Sequence, residues 1–404
     1  MHKKGTLPIL GLAHILLLGQ SFSVACAEEL QLPKDLKVSE YFNFFGSRGI
    51  DWRALNDPNN NSILVACIEG TTEQSLKALE IAGLQQRLGS LERGNLIRKA
   101  QGRYMLAFPA VVGRKRNQLQ RYVEPISRRL TPFAEKMIAD IQPYLAGRDE
   151  MLYHVLWSDI MDGTLAWNTA RAAMTKQIKS GDTSIENKAW LLYPYHPYRV
   201  GTNSYNNTLG HLRITWSRNT PNPKAIYAII SRYANELTEV IEQNSKVATT
   251  DARDALGKYG LVDEAGKVRL LTIERDSEAA KSNAELGRQF GRQMMNHLDV
   301  AKVTDMLGVS PGVAFVIAYH EICWQLLQDL AEKKALEVPR ILAAAGTGAS
   351  EAYQLVSLET TPRVQFLPHS VSGKSRPATT LILVLALVGL IGVVVFLVVK
   401  PGTK

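Results

Sequence analysis

The 404-residue chain is 46% apolar and 21% charged, the balance of a folded protein, and its length suits one large or two ordinary domains with a real core. Three cysteines exclude a disulfide scaffold, and a formal charge of +9 directs attention to anionic surfaces or acidic partners.

Residues 1–27 read as a secretory signal. Lys3 and Lys4 precede the apolar run Leu7 to Leu18, and Ala25-Cys26-Ala27 fits a cleavage site before Glu28. Acylation at Cys26 is the other reading, with Ser23 standing where such signals carry an aliphatic residue. The expected fold class is α+β: a mainly α-helical exported domain over residues 28–345 with a small β region, plus one C-terminal transmembrane helix.

Residues 28–180 are expected to be mainly helical. The turn cluster Asn56 to Asn61 precedes Ile63 to Ile68, read as a strand. Thr71 with Gln74 resembles a capping box, and Leu76, Leu79, Leu84, Leu88 and Leu91 follow at helical spacing as a core stripe. Tyr104 to Val112 reads as a buried strand or turn. Helices follow over Asn117 to Leu145, with Thr131-Pro132 as cap and first-turn proline, and over Leu152 to Leu165. Asp159 and Asp162 beside Gly163 offer an acidic pair, but three apart on a helix they are assigned to its surface.

The charge is concentrated. Residues 86–130 hold eleven Lys or Arg against only Glu92 and Glu124. The candidate binding residues are Arg93, Arg98, Lys99, Arg103, Arg114, Lys115, Arg116, Arg121, Arg128 and Arg129. They suit membrane lipid headgroups, an anionic surface or polymer, or an acidic protein partner. Nucleic acid ranks last, since an exported domain meets it only in a transfer machine.

Residues 185–220 form an aromatic β region in which Leu212, Ile214 and Trp216 alternate with Arg213, Thr215 and Ser217. His196 and His211, with Tyr195 and Tyr198, are the candidate catalytic residues. A histidine serves as general base near neutral pH, and clustered Tyr and Asn suit a sugar or peptide. An aromatic loop packed on the sheet is the simpler reading.

Residues 222–345 return to helix, with one apolar stripe from Ile226 to Ile241, a hairpin near 261–273, and helices over Ser277 to His297 and Gly312 to Leu336. Cys67 and Cys323 are a candidate disulfide or two separate buried thiols. Three motifs fail here. Gly308-Val309-Ser310-Pro311-Gly312 matches a nucleophile elbow, but Pro311 has no N–H to donate and Ser310 reads as an N-cap. Ala301 to Ile317 resembles a helix-turn-helix whose second helix offers nothing to a base edge. His320-Glu321 opens a zinc-protease pattern that Trp324 breaks. No metal site and no cofactor are expected.

Residues 346–377 read as a stalk, 378–399 as a transmembrane helix about 33 Å long, and 400–404 as a cytoplasmic tail. In layout the chain resembles the accessory subunits of bacterial envelope machines of the secretion or conjugation type. That layout implies a single-pass protein of the inner (plasma) membrane, the bulk of it in the periplasm or outside the cell, binding envelope proteins. An envelope hydrolase or sugar- or peptide-binding enzyme centred on His196 and His211 is the alternative.

Overall fold

The computed structural model describes residues 32–46, 49–145, 147–206, 210–217, 223–339 and 355–360. The expected signal peptide, transmembrane helix and tail lie outside them, as does the expected stalk apart from 355–360.

The first part of the chain builds a small helical and β module. Phe42–Phe45 (β1) is followed by Trp52–Asn56 (α1), which Asp51 caps by accepting from the N–H groups of Arg53 and Ala54. The run expected as a strand is helix Asn61–Ala66 (α2). Ile63, Leu64 and Cys67 are all buried, and a helix puts them on one face where a strand would divide them between two. Then come Thr71–Thr72 (β2), Glu73–Lys77 (α3), Leu84–Arg93 (α4), Ile97–Ala100 (β3) and Arg103–Leu106 (β4). The cap of α3 is Thr72, one residue later than expected, accepting from Ser75 N–H. The leucine stripe is therefore two helices, broken at Gly83 with φ +67°, and Leu79 in the break is 46% exposed. β2, β4 and β3 form a three-stranded antiparallel sheet in that order.

Ala110–Val111 (β5) leads into Gly113–Ile141 (α5), 29 residues that pass through Pro125 and Pro132. Thr131-Pro132 is thus no helix start. A proline inside a helix costs about 3 kcal/mol. Against that, Leu119, Val123, Ile126, Leu130, Met137, Ile138 and Ile141 are buried along one stripe, each contributing about 1.5–3 kcal/mol. The carbonyls that lose a partner belong to Arg121 and Arg128, on the exposed face where water serves.

Next are Leu152–His154 (α6), a π-helical segment Val155–Met161, and Thr164–Gln177 (α7). Lys188–Leu192 (β6) lies between β1, antiparallel, and β5, parallel. Gly201–Asn206 (β7) and Gly210–Trp216 (β8) make a hairpin. The stripe from Ile226 to Ile241 is two helices, Pro223–Arg232 (α8) and Ala234–Glu242 (α9), followed by Thr250–Gly257 (α10). The expected 261–273 hairpin is reduced to one bridge, Val262 to Val268, while Leu271–Glu274 (β9) pairs elsewhere. Glu278–His297 (α11), capped by Ser277, Val300–Leu307 (α12) and Pro311–Glu332 (α13) complete the helices.

Residues 355–360, inside the interval read as a stalk, are a strand (β10) lying antiparallel to β8 and parallel to β9, so the sheet order is β7-β8-β10-β9. Leu358 enters the core with Leu212 and Ile214, while Ser357 and Glu359 face the other side.

These elements make up one α+β unit through residue 361 with three apolar cores. The largest gathers α5, α7, α11, α12 and α13 around the π-helical segment. From Pro311 through Leu327 every residue of α13 is buried. Among the described residues no single helix is long and apolar enough to cross a membrane; α12 and α13 would be together, but they meet at 102°.

No disulfide joins Cys67 and Cys323. Both are free and buried, Cys67 in the core of the first module and Cys323 in the middle of α13. Burial pushes the Cys67 thiol up to about 12 and Cys323 well above its usual range. Both should resist an alkylating reagent in the folded chain and react once denaturant is added. A native mass two hydrogens lower, restored by reductant, would establish a bridge instead.

Candidate functional site

Three polar assemblies surround the central helices. The first is built on α13. Glu321 is 1% exposed and faces Arg116 of α5, with guanidinium and carboxylate 3.3 Å apart and no hydrogen-bond geometry between them. Arg116 donates instead to Pro194 O (3.1 Å) and Gln120 Oε1 (2.9 Å). One turn along α13, Gln325 accepts from Gln120 (2.9 Å) and donates to Asp329 (2.9 Å), which also accepts from the Ser127 hydroxyl (2.6 Å).

His196 closes this network. Its Nδ1 accepts from Tyr198 N–H (3.2 Å), which puts the neutral ring's proton on Nε2, directed at Gln325 Oε1 (3.3 Å). The ring is 3% exposed. Both nitrogens are thus engaged inside the protein. Tyr195 stacks under the Arg199 guanidinium at 4.5 Å, and Arg199 donates to Phe42 O (3.1 Å). His211 is elsewhere, at the start of β8, with Nδ1 2.7 Å from Asn206. No hydrogen bond or ring contact joins the two histidines among the described residues.

The second assembly lies where the π-helical segment meets β8 and β10. Asp159 Oδ1 takes Arg213 (3.2 Å) and the Ser357 hydroxyl (3.0 Å), and Glu359 links Arg213 (3.6 Å) to Arg275 (3.2 Å). These groups line a cleft of about 170 Å³. Beside them His154 Nδ1 lies 2.7 Å from Thr215, and Ser158 bridges Thr215 and Thr202. Asp159 and Asp162 are not surface residues: their side chains are 2% and 11% exposed. Asp162 accepts from Trp167 and faces His320 at 3.8 Å, within a ring cluster that includes Trp190 and Trp324. Sequence reasoning missed this assembly because its partners come from β8 and β10, far along the chain.

The third is the basic segment, which the fold divides. Arg116 is buried with Glu321 and faces no outside partner, a correction to its expected binding role. Lys115 Nζ donates to Leu307 O (2.6 Å), the carbonyl end of α12. Both contacts offset the cost of cations in the first turn of α5, where the helix dipole opposes them. Arg114 is exposed, and Arg128 makes a solvent-exposed pair with Glu124 at 3.5 Å, worth little. Arg121 and Arg129 line an open cleft of about 730 Å³ with Tyr122, Ile126, Lys302 and Met306. Arg93, Arg98, Lys99 and Arg103 sit apart, on α4 and the β3/β4 hairpin. Among the described residues Arg93 and Arg98 have no ion-pair partner, Lys99 lies over Tyr104, and Arg103 donates to Gly70 O (2.6 Å).

No three metal-ligating side chains converge among the described residues. Comparison with protein-family models, with curated proteins and with solved structures gave no match.

Burial pulls His154 and His196 down to about 4, with the cations Arg213 and Arg116 adding to it while Asp159 and Gln325 oppose it. Burial lifts Glu321 to about 7 against the pull of Arg116 and Arg199. Between about pH 6.5 and 4 the unfolded chain binds two protons that the native histidines refuse, so their contribution falls with falling pH. Glu321 acts oppositely: native protein keeps its proton to about 7, and the stability it contributes is lost as pH rises through that value. Burial also holds the His211 and His320 rings down and lifts Asp162, which sides with Glu321, so urea titrations between about pH 4.5 and 6.5 should show stability rising with pH. His196→Asn should flatten that slope by about one proton and Glu321→Gln should steepen it by one.

Proposed function

We propose that this chain is a membrane-anchored component of a cell envelope, its folded domain held outside the cytoplasm, and that it works by binding anionic partners. The observation that carries the reading is the division of its cations. Those on buried faces are matched by Glu321, Asp159 or carbonyl groups, while those on exposed faces, Arg93, Arg98, Arg114, Arg121 and Arg129, are left to solvent. Desolvating a charge without a partner costs several kcal/mol, so the fold matches what it buries and leaves the rest available to a partner. The cleft between α5 and α12, with Arg121, Arg129 and Lys302 around Tyr122 and Met306, offers cations at its rim and apolar contacts within. The leader and the apolar stretch 378–399 support the envelope location.

Two measurements check it. Protease added from the extracytoplasmic side should digest the domain while the cytoplasmic membrane is intact; protection of the domain would remove the topology. The full chain in lipid nanodiscs should capture anionic vesicles or acidic envelope proteins and release them at about 1 M salt, where the screening length falls to about 3 Å. Arg121→Glu with Arg129→Glu should weaken capture about tenfold with an unchanged melting temperature. Binding indifferent to both salt and charge reversal would overturn the reading.

A further inference from the structure

The charged groups around Asp159 form a chain of ion pairs whose two ends have bonding capacity left over. Asp159 holds Arg213 at 3.2 Å, Arg213 reaches Glu359 at 3.6 Å, and Glu359 holds Arg275 at 3.2 Å. Side-chain exposure rises along the chain from 2% at Asp159 through 15% and 25% to 51% at Arg275. The chain thus runs from the interior to the mouth of the cleft of about 170 Å³ that these groups line. At the inner end Asp159 commits Oδ1 to Arg213 and Ser357, and its Oδ2 has no partner. At the outer end Arg275 reaches Glu359 through Nε, and neither of its Nη groups has a partner among the described residues.

A second, independent observation comes from Asn283 of α11, which is 8% exposed and lines the same cleft. Its Oδ1 accepts from the Tyr144 hydroxyl, and its amide N–H groups have no partner among the described residues. A buried amide with unused donors costs free energy until an acceptor meets it. Between the charged ends the wall is apolar: Leu165, Ile273, and Ala280 and Ala284 one turn apart on α11. The cleft lies toward the carboxyl ends of the parallel strands β9 and β10 and beside the first turn of α7, whose cap Gly163 offers no side chain to the N–H groups there. Its volume is below the roughly 300–1,000 Å³ of sites for drug-sized molecules, which restricts it to a small occupant.

We infer that this cleft binds a small zwitterion, a free amino acid with an ammonium at one end, a carboxylate at the other and a short methylene chain between them. The ammonium lies toward Asp159, where a buried carboxylate with an unmatched oxygen favours a cation. The carboxylate lies on the open guanidinium fork of Arg275 and the Asn283 amide. Two acidic and two basic side chains line the cleft, so their charges cancel. A lone anion would face Asp159 and Glu359, and a lone cation would face Arg213 and Arg275; a molecule carrying both signs answers both ends. Ala280 and Ala284 leave room for the methylenes, and Leu165 and Ile273 cover them. The site shares no lining residue with the cleft between α5 and α12, so it stands or falls apart from the proposed binding of anionic partners.

Calorimetric titration of the full chain in neutral-lipid nanodiscs with glycine, β-alanine and 4-aminobutyrate should give saturable binding for at least one of them. The expected Kd is about 10 μM to 1 mM, within reach of ligands of about five to seven heavy atoms. Acetate and methylammonium, each carrying one end alone, should bind at least about tenfold more weakly. Arg275→Gln should weaken the zwitterion about tenfold with an unchanged melting temperature, since that guanidinium is half-exposed and its pair with Glu359 contributes little to folding. Ala284→Leu, which fills the cleft with a good helix former, should abolish binding with the helical circular dichroism retained. The Arg121/Arg129 charge reversal should leave amino-acid binding unchanged. A parent chain that binds none of the three, acetate binding as tightly as the zwitterions, or an Arg275→Gln chain that binds like the parent would overturn the inference, and capture of anionic vesicles would be unaffected by any of these results.

Discussion

The structure depends on a helix with no outside. Because α13 is buried around its whole circumference from Pro311 to Leu327, each polar side chain on it must find its partner inside the protein. Tyr319 donates to Met161 O, Trp324 to Val200 O, and His320 Nδ1 to Val316 O within the same helix. Glu321 draws in Arg116, and Gln325 draws in His196 and Gln120. These contacts hold α5, the π-helical segment and the 193–200 loop in register. The chemically rich loop around His196 is thereby one wall of a buried hydrogen-bond network, whose removal would leave several desolvated groups unmatched.

Electrostatics then sorts the basic segment that looked uniform along the chain. On α5 the buried stripe passes through Arg116, so its neighbours Arg114 and Arg121 lie to the outside. The four cations ahead of α5 belong to a different module with its own core. One run of positive charge in sequence is two surfaces in space, with Arg116 withdrawn from both into an internal ion pair.

Much of the architecture was legible where period and caps agreed. Ser277 opens α11, Ser310-Pro311 opens α13, and β8 shows its alternation, although both its faces prove buried, since Arg213 and Thr215 meet Asp159 and His154. Legibility failed where distant residues decided the outcome. Proline in α5 is tolerated because α13 packs along it. The short apolar run 63–68 is helical because Cys67 joins its buried face. The β3/β4 hairpin was hidden because Arg98, Lys99 and Arg103 read as a charge run and Gln101-Gly102 is a weaker turn signal than Asn-Gly. The loop histidines stood out for their chemistry; that both nitrogens of His196 are occupied depends on Gln325, far along the chain.

The place of β10 carries a consequence for biosynthesis. It is an inner strand of its sheet, between β8 and β9, yet it is the last made of the described elements, and all of α11, α12 and α13 separates it from β9. Until residue 360 has left the ribosome, β8 and β9 each keep a row of unpaired amides and carbonyls open to other chains. Any holding factor that accompanies the nascent polypeptide must therefore shield these two edges until residues 355–360 have emerged, long after β8 and β9 themselves.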